Sequence, residues 1–160
     1  AVFNNHRLTL VVMENGTTAM TGHQDHPASG RNFNEITEAI PLRQVLEGAG
    51  VKHLFETDTY KQAELTALMR EALAIDGFSV VIARHPCMLQ LTNKLRRKGS
   101  FKPHPVRVDQ ELCNRIHTCV ADFACPSFIR AADGSITVNR DLCIGDGSCI
   151  QTCAAKAIVR

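Results

Sequence analysis

The sequence predicts an α/β domain built on a parallel sheet, followed by a small α+β module rich in cysteine. Three observations predict it. Short apolar runs rich in β-branched residues, at residues 8–13, 51–55 and 78–83, alternate with helical patterns, and that alternation belongs to parallel sheets. Six of the seven cysteines fall within the last 48 residues. Finally, Cys113 to Cys143 and Cys119 to Cys149 are each thirty residues apart, which marks an internal repeat.

The first run, Leu8-Thr9-Leu10-Val11-Val12-Met13, reads as a strand buried on both faces and ends at the turn signal Glu14-Asn15-Gly16. A polar stretch from Thr17 to about Asn34 follows, with Gly22, Pro27 and Gly30. A stretch this long without a periodic pattern is uncommon in a compact domain and is often functional. A short helix is expected at about residues 40–47, with Pro41 in its first turn and Gly48 at its end. After the second strand, Leu65, Leu68, Met69, Ala72 and Leu73 repeat at helical spacing. Asp58 or Thr59 is expected to cap that helix and Gly77 to close it. Phe78-Ser79-Val80-Val81-Ile82-Ala83 is the third buried strand, and Cys87 beyond it reads as an inert core thiol.

At residues 90–106 the texture changes. Lys94, Arg96, Arg97, Lys98 and Lys102 alternate with Gly99, Pro103 and Pro105, the pattern of a solvated, extended linker, with a docking face for an acidic partner subunit as the alternative. The expected organisation is therefore an α/β domain over 1–90, a linker over 91–106 and a cysteine module over 107–160.

Apolar residues make up 44% and charged residues 21% of the chain, enough for a modest globular core. A formal charge of +2, one Tyr and no Trp give no support for a nucleic-acid partner. No apolar run is long enough to span a membrane and no signal peptide is visible, so the expected location is the cytoplasm.

The cysteine spacing carries the chemistry. Bacterial two-cluster ferredoxins use C-x2-C-x2-C-x3-C-P twice, and the fourth cysteine of each run serves the other cluster. The second run here is Cys143-Ile-Gly-Asp146-Gly-Ser-Cys149-Ile-Gln-Thr-Cys153, with Asp146 in the second slot and Ala154 in place of proline. The first is Cys113-Asn-Arg-Ile116-His-Thr-Cys119, with Ile116 in the second slot and five residues before Cys125-Pro126. Gly134 and the nearby Ile136-Thr137-Val138 supply the turn and strand expected between the halves. The crossed rule predicts one centre on Cys143, Asp146, Cys149 and Cys125, and another on Cys113, Cys119 and Cys153. Carboxylate is a harder and weaker ligand for iron than thiolate, so the first is expected to be a [4Fe–4S] cluster with one labile iron. Isoleucine cannot ligate, so the second is expected to be [3Fe–4S], or [4Fe–4S] if His117 or another group reaches in. A hydrogen bond to sulfur or a structural role is the expected job of His117. The alternatives are a zinc module, three disulfides, or a domain that binds nothing.

The run Val11-Val12-Met13-Glu14-Asn15-Gly16-Thr17-Thr18-Ala19-Met20-Thr21-Gly22-His23-Gln24, with His26-Pro27 after it, resembles the thiamine-diphosphate region of 2-oxoacid:ferredoxin oxidoreductases. The likeness is strongest to the large subunit of the indolepyruvate members, and it continues through the whole chain into a ferredoxin-like domain. It implies that Asn15 and the Thr17 carbonyl ligate the Mg2+ bound to the cofactor diphosphate, and that Thr18, Thr21, Gly22 and Gln24 shape the loop over it. Hard oxygen donors of this kind suit Mg2+. It further implies that His23 approaches the substrate carboxylate. Without the resemblance, Asn15-Gly16 is a turn, and His23 and His26 belong to a surface loop. The family's first Mg2+ ligand, an aspartate in a Gly-Asp motif, lies upstream of this loop, and the chain starts at Ala1 beyond that point. The expectation is the C-terminal piece of a larger subunit, unable to complete a thiamine site alone. Its partners would be the remainder of that subunit, a smaller partner subunit, ferredoxin or another electron acceptor, a 2-oxoacid of aryl-pyruvate type, and coenzyme A. A non-catalytic electron-transfer subunit is the rival reading.

Overall fold

The computed structural model describes residues 1–102 and 104–160. Pro103, one of the prolines in the expected linker, lies outside the described residues. The chain divides into two compact units, residues 1–91 and 92–160.

In the first unit three parallel strands, β1 (Leu8–Glu14), β2 (His53–Asp58) and β3 (Phe78–Arg84), lie in the order β1-β3-β2. Each crossover carries a helix or helical turns, as parallel pairing requires. β3 is the centre: Leu8 to Glu14 pair in register with Phe78 to Arg84, and His53 to Asp58 with Ser79 to Arg84. Val80 and Ile82 bury against Leu42 and Leu46 of α1 (Leu42–Gly48). On the opposite face, the Ser79 hydroxyl donates to the carbonyl of Ala72 in α2 (Gln62–Ala74) at 3.0 Å, and Thr9 reaches the same carbonyl at 3.3 Å. Burying side chains such as Val80 and Ile82 is worth about 1.5–3 kcal/mol each.

Four details depart from expectation. β1 is an edge strand and is not covered on both faces, with Leu8 51% and Met13 82% exposed. An apolar run says that a strand is β-branched, not where it stands in the sheet. β2 begins at His53 rather than Val51, because Val51 is spent in the core cluster with Val80 and Ile82. α2 starts after Lys61 with no side-chain cap, because the Asp58 carboxylate accepts the Tyr60 N–H at 2.7 Å instead, and it ends at Ala74, ahead of Gly77. Finally, the expected extended linker opens with a helix, α3 (Met88–Arg97). Met88, Leu91, Thr92 and Leu95 fall at helical spacing and are the withdrawn residues of α3, a stripe that the basic residues between them obscure in the sequence.

The second unit contains two small antiparallel ladders, β4 (Arg107–Val108) with β7 (Ile158–Val159) and β5 (Phe128–Arg130) with β6 (Ile136–Val138), and a short helix α4 (Thr118–Ala121). Its core is Val106, Phe128, Ile136, Cys149 and Ile158, flanked by Cys119, Cys125, Cys143 and Cys153. The thirty-residue repeat is written in the backbone. Cys113 N–H donates to the Asp109 carbonyl and Cys143 N–H to the Asn139 carbonyl, both at 3.1 Å; Asp109 N–H donates to the Ala157 carbonyl and Asn139 N–H to that of Ser127. Left-handed backbone recurs too: Arg115 and His117 (φ 56° and 65°) match Gly145 and Gly147 (φ 74° and 77°). Among the described residues no helix is long and apolar enough to cross a membrane.

Candidate functional site

The carboxyl edge of the parallel sheet gathers the first set of candidate residues, where open α/β sheets place ligands. Beyond β1 and β3 the two chains stay coupled: His85 N–H donates to the Glu14 carbonyl at 3.0 Å, and Cys87 N–H to the Asn15 carbonyl at 2.9 Å. The Asn15 amide oxygen accepts the Thr17 N–H at 3.0 Å and keeps a second lone pair. Thr17 is buried, and its hydroxyl donates to the Gln24 carbonyl at 3.2 Å. Thr18 N–H donates to the same carbonyl at 3.0 Å, while the Thr21 hydroxyl donates to the Gln24 side-chain oxygen. Gly22, at φ 111°, makes the turn that returns the chain to Gln24. Thr17, Thr18, Thr21, Gly22 and Gln24 thus form one closed loop.

His23 stands at φ 60°, a backbone region that non-glycine residues seldom occupy. Its Nδ1 lies 4.0 Å from the Cys87 sulfur. Cys87 is half-buried beside the loop, not an isolated core thiol. His23 also lines an open groove of about 1060 Å³ with Gly22, Gln24, His26, Arg31 and Phe33. Asn15, Thr17 and Thr18 lie outside that lining. His26 has a local job: its Nδ1 accepts the Ala28 N–H at 3.2 Å and caps the turn Pro27–Ser29. For a hard cation the loop has two free oxygen positions, the remaining lone pair of Asn15 and the Thr17 carbonyl, which no donor among the described residues reaches. This donor set fits Mg2+ in part and leaves the rest of an octahedron to other groups.

A neighbouring cluster was not anticipated from the sequence. His85 Nδ1 lies 3.0 and 3.1 Å from the two oxygens of Asp58, and the Tyr60 ring stacks on the imidazole with centroids 3.8 Å apart. The Tyr60 N–H, and then His85, hold the Asp58 carboxyl below its ordinary range against the opposing effect of burial. Arg84 bridges Glu14 at 2.8 Å and Glu56 at 2.9 Å across the same edge. The available signal was that Asp58 ends β2 and His85 directly follows the end of β3.

In the second unit the cysteines fall into two groups. Cys113, Cys119 and Cys153 line one small cavity of about 40 Å³, together with Ile116 and His117. Burial, followed by the neighbouring thiolates of Cys113 and Cys153, pushes the Cys119 thiol up. Cys149 is pushed up to about 11 by burial first, and then by the negative charge of Asp146, Cys125 and Cys143. Those neighbours are the members of the two crossed sets. Asp146 turns its carboxylate onto its own loop, accepting the Ser148 N–H at 3.4 Å and the Ser148 hydroxyl at 3.1 Å. His117 Nε2 lies 2.8 Å from the Gly134 carbonyl, a structural tie to the β5–β6 turn. The Cys153 sulfur instead accepts the Ala157 N–H at 3.3 Å. All seven cysteines are free thiols, against the disulfide alternative. Among the described residues no three His, Cys, Asp or Glu side chains converge tightly enough for a single metal ion.

Known proteins resemble the chain along its full length. It is 36% identical to the indolepyruvate oxidoreductase subunit IorA of Archaeoglobus fulgidus, over 99% of this chain and 25% of that protein. It is 34% identical to IorA of Methanothermobacter marburgensis, over 99% of this chain and 24% of that protein, and 32% identical to IorA of Pyrococcus horikoshii, over 96% and 24%. The chain therefore spans about a quarter of the length of these relatives. No solved structure matches it. Residues 1–83 match the model of the thiamine pyrophosphate enzymes' C-terminal TPP binding domain. The chain belongs to the thiamine pyrophosphate enzyme family.

Proposed function

We propose that the chain is part of the large subunit of a 2-oxoacid:ferredoxin oxidoreductase, acting on aryl pyruvates and passing electrons through two iron–sulfur clusters in a ferredoxin-like module. One observation supports the reading: a thiamine-enzyme sheet is followed, in the same chain, by a cysteine repeat in which Cys113, Cys119 and Cys153 line one cavity and Cys125 and Cys143 pack against the core around Cys149. Cys113, Cys119 and Cys153 line one cavity, an arrangement that suits a cluster, which takes one thiolate per iron corner. The IorA relatives support the substrate class through their name, which describes those proteins.

Thiamine diphosphate, when bound, supplies the nucleophilic carbon at which a 2-oxoacid loses carbon dioxide. The chain's own residues have separable tasks around it. Asn15 and the Thr17 carbonyl are the Mg2+ ligands, with the remaining ligands coming from the diphosphate and from the rest of the large subunit. Thr18, Thr21, Gly22 and Gln24 hold the loop closed, which fixes His23 on the groove. There its imidazole orients the substrate carboxylate. Cys125, Cys143, Asp146 and Cys149 hold a [4Fe–4S] cluster with a removable iron at Asp146. Cys113, Cys119 and Cys153 would hold a [3Fe–4S] cluster in the cavity that Ile116, which cannot ligate, also lines. Ferredoxin would be the electron acceptor and coenzyme A the acyl acceptor, in an assembly that includes a smaller subunit.

The test is anaerobic purification of the complete assembly, with analysis for iron, sulfide and thiamine, and electron paramagnetic resonance. The expected result is an oxidised [3Fe–4S] signal that survives Asp146→Ala and disappears in Cys113→Ala. Absence of iron overturns the cluster reading. A non-catalytic electron-transfer subunit is the second reading, favoured by the Asn15 amide oxygen already bonding Thr17 and by both residues lying outside the groove. Cluster signals without bound thiamine diphosphate, in the complete assembly, decide for it.

A further inference from the structure

The positive charge of this chain is concentrated in one short stretch. Residues 1–91 carry seven Lys and Arg against ten Asp and Glu, residues 107–160 carry six of each, and residues 92–106 carry five basic side chains and no acidic one. Lys94, Arg96 and Arg97 occupy the last turn of α3, with Lys98 just beyond, and all four are exposed, as is Lys102. Lys94, Arg97 and Lys98 follow i, i+3, i+4 spacing and share one face; the Lys98 N–H still donates to the Lys94 carbonyl at 3.2 Å.

Structure alone does not account for the concentration. Cations at a helix C-terminus are favourable by a few tenths of a kcal/mol, but like charges at i, i+4 offset a similar amount. Among the described residues none of the five has a carboxylate partner. Arg96 lies over the Phe101 ring, 4.9 Å from its centre, a contact that orients the guanidinium without neutralising it. The stretch then runs onto a cluster loop. The His104 carbonyl oxygen is so close to Gly145 that a Cβ there would sit 2.6 Å from it. Arg160 adds a further cation, its Nη2 donating to the Asp146 carbonyl at 2.9 Å.

We propose that the face made by Lys94, Arg97 and Lys98 docks a small acidic one-electron carrier protein, which is reduced by the centre on Cys125, Cys143, Asp146 and Cys149. The inference rests on the cluster reading given above. One electron leaves the cluster, which is oxidised, and enters the carrier; no proton or group moves. An unneutralised cationic rim raises the encounter rate with an acidic partner and suits the small, transient interfaces of redox proteins. The scarcity of aromatic side chains and the low total charge disfavour a nucleic acid.

The experiment uses the complete assembly and a bacterial ferredoxin of net negative charge, with a small viologen dye as the alternative acceptor. Lys94→Glu, Arg97→Glu and Lys98→Glu are combined. The KM for ferredoxin is expected to rise roughly tenfold or more at low salt, and its salt dependence to flatten, while 2-oxoacid-dependent dye reduction is unchanged. Calorimetric titration with oxidised ferredoxin is expected to show the same loss without turnover. An unchanged KM, Kd and salt dependence overturn the proposal. If the reversed variant also loses dye reduction, the Lys94→Gln, Arg97→Gln and Lys98→Gln combination decides, and a wild-type Kd then overturns it. Displacement of ferredoxin by coenzyme A at the patch assigns the patch to the nucleotide and also overturns it. Failure of the wild-type assembly to reduce dye from any 2-oxoacid overturns the functional reading instead, and the calorimetric titration still decides the docking site.

Discussion

Gly145 sits where backbone leaves no room for a side chain, and Asp58 joins the Tyr60 N–H to the His85 ring. A Cβ at Gly145 would meet the His104 carbonyl oxygen at 2.6 Å and its nitrogen at 2.9 Å, and the backbone there is left-handed at φ 74°. Both obstacles are backbone, so Gly145→Ala should destabilise the second unit by about 1–3 kcal/mol and lower iron retention at the Asp146 set. Urea denaturation and iron analysis check this. Asp58 is a titration test. Its carboxyl is held below the ordinary 3.8 by the Tyr60 N–H and by His85, so its stabilising effect is complete above that value and is lost as the pH falls through the lower folded-state value. The urea midpoints of the wild type and Asp58→Asn should therefore differ at pH 6 and converge as acid protonates the folded-state carboxyl. The side chain is 42% exposed, so solvent screening keeps the difference small, under about 1 kcal/mol. Sequence reading assigned Asp58 to a helix cap. Its actual partner, His85, sits 27 residues away and becomes a neighbour only through strand register.

At the level of the element, position in the sheet outweighs composition. β1 and β3 are both short β-branched runs, yet Ile82 is fully buried while Leu10 is partly open on the edge strand. Ile82→Ala should cost about 2–5 kcal/mol, and Leu10→Ala under about 1.5 kcal/mol, in urea denaturation. The pattern made both strands legible because period and β-branching report backbone conformation. It did not report burial, because a run of apolar residues carries no information about strand order. α3 was hidden for another reason. Its stripe of Met88, Leu91, Thr92 and Leu95 is interleaved with cations, and Gly99 and Pro105 follow closely, so turn chemistry dominated the reading. The cysteine repeat was legible because a thirty-residue spacing fixes equivalent backbone at both halves, down to the paired Asp109 and Asn139 bonds. The Cys87–His23 contact was not, because it depends on the left-handed backbone of His23.

For the whole molecule, the two units rest on different chemistry. The first has a sheet core of Val80, Ile82 and Val51, independent of any metal. The second packs Cys119, Cys125, Cys143 and Cys153 against a core that includes Cys149, so under the proposed cluster reading ligand binding and folding there would be one equilibrium. Stripping iron with a chelator under reducing conditions should therefore cut amide-exchange protection at residues 106–108, 128–130 and 158–159, while residues 78–84 retain theirs. Hydrogen exchange read by mass spectrometry separates the outcomes. The crossing of the cysteine groups has a consequence for ancestry. Cys153 from the later half stands with Cys113 and Cys119, and Cys125 from the earlier half stands with Cys143 and Cys149. A solitary half could close neither group, so a primordial half-module would have had to work as a pair of identical chains. Under the proposed cluster reading, substituting Ile116 or Asp146 would alter one centre from within its own half, whereas substituting Cys125 or Cys153 would disable the centre of the other half.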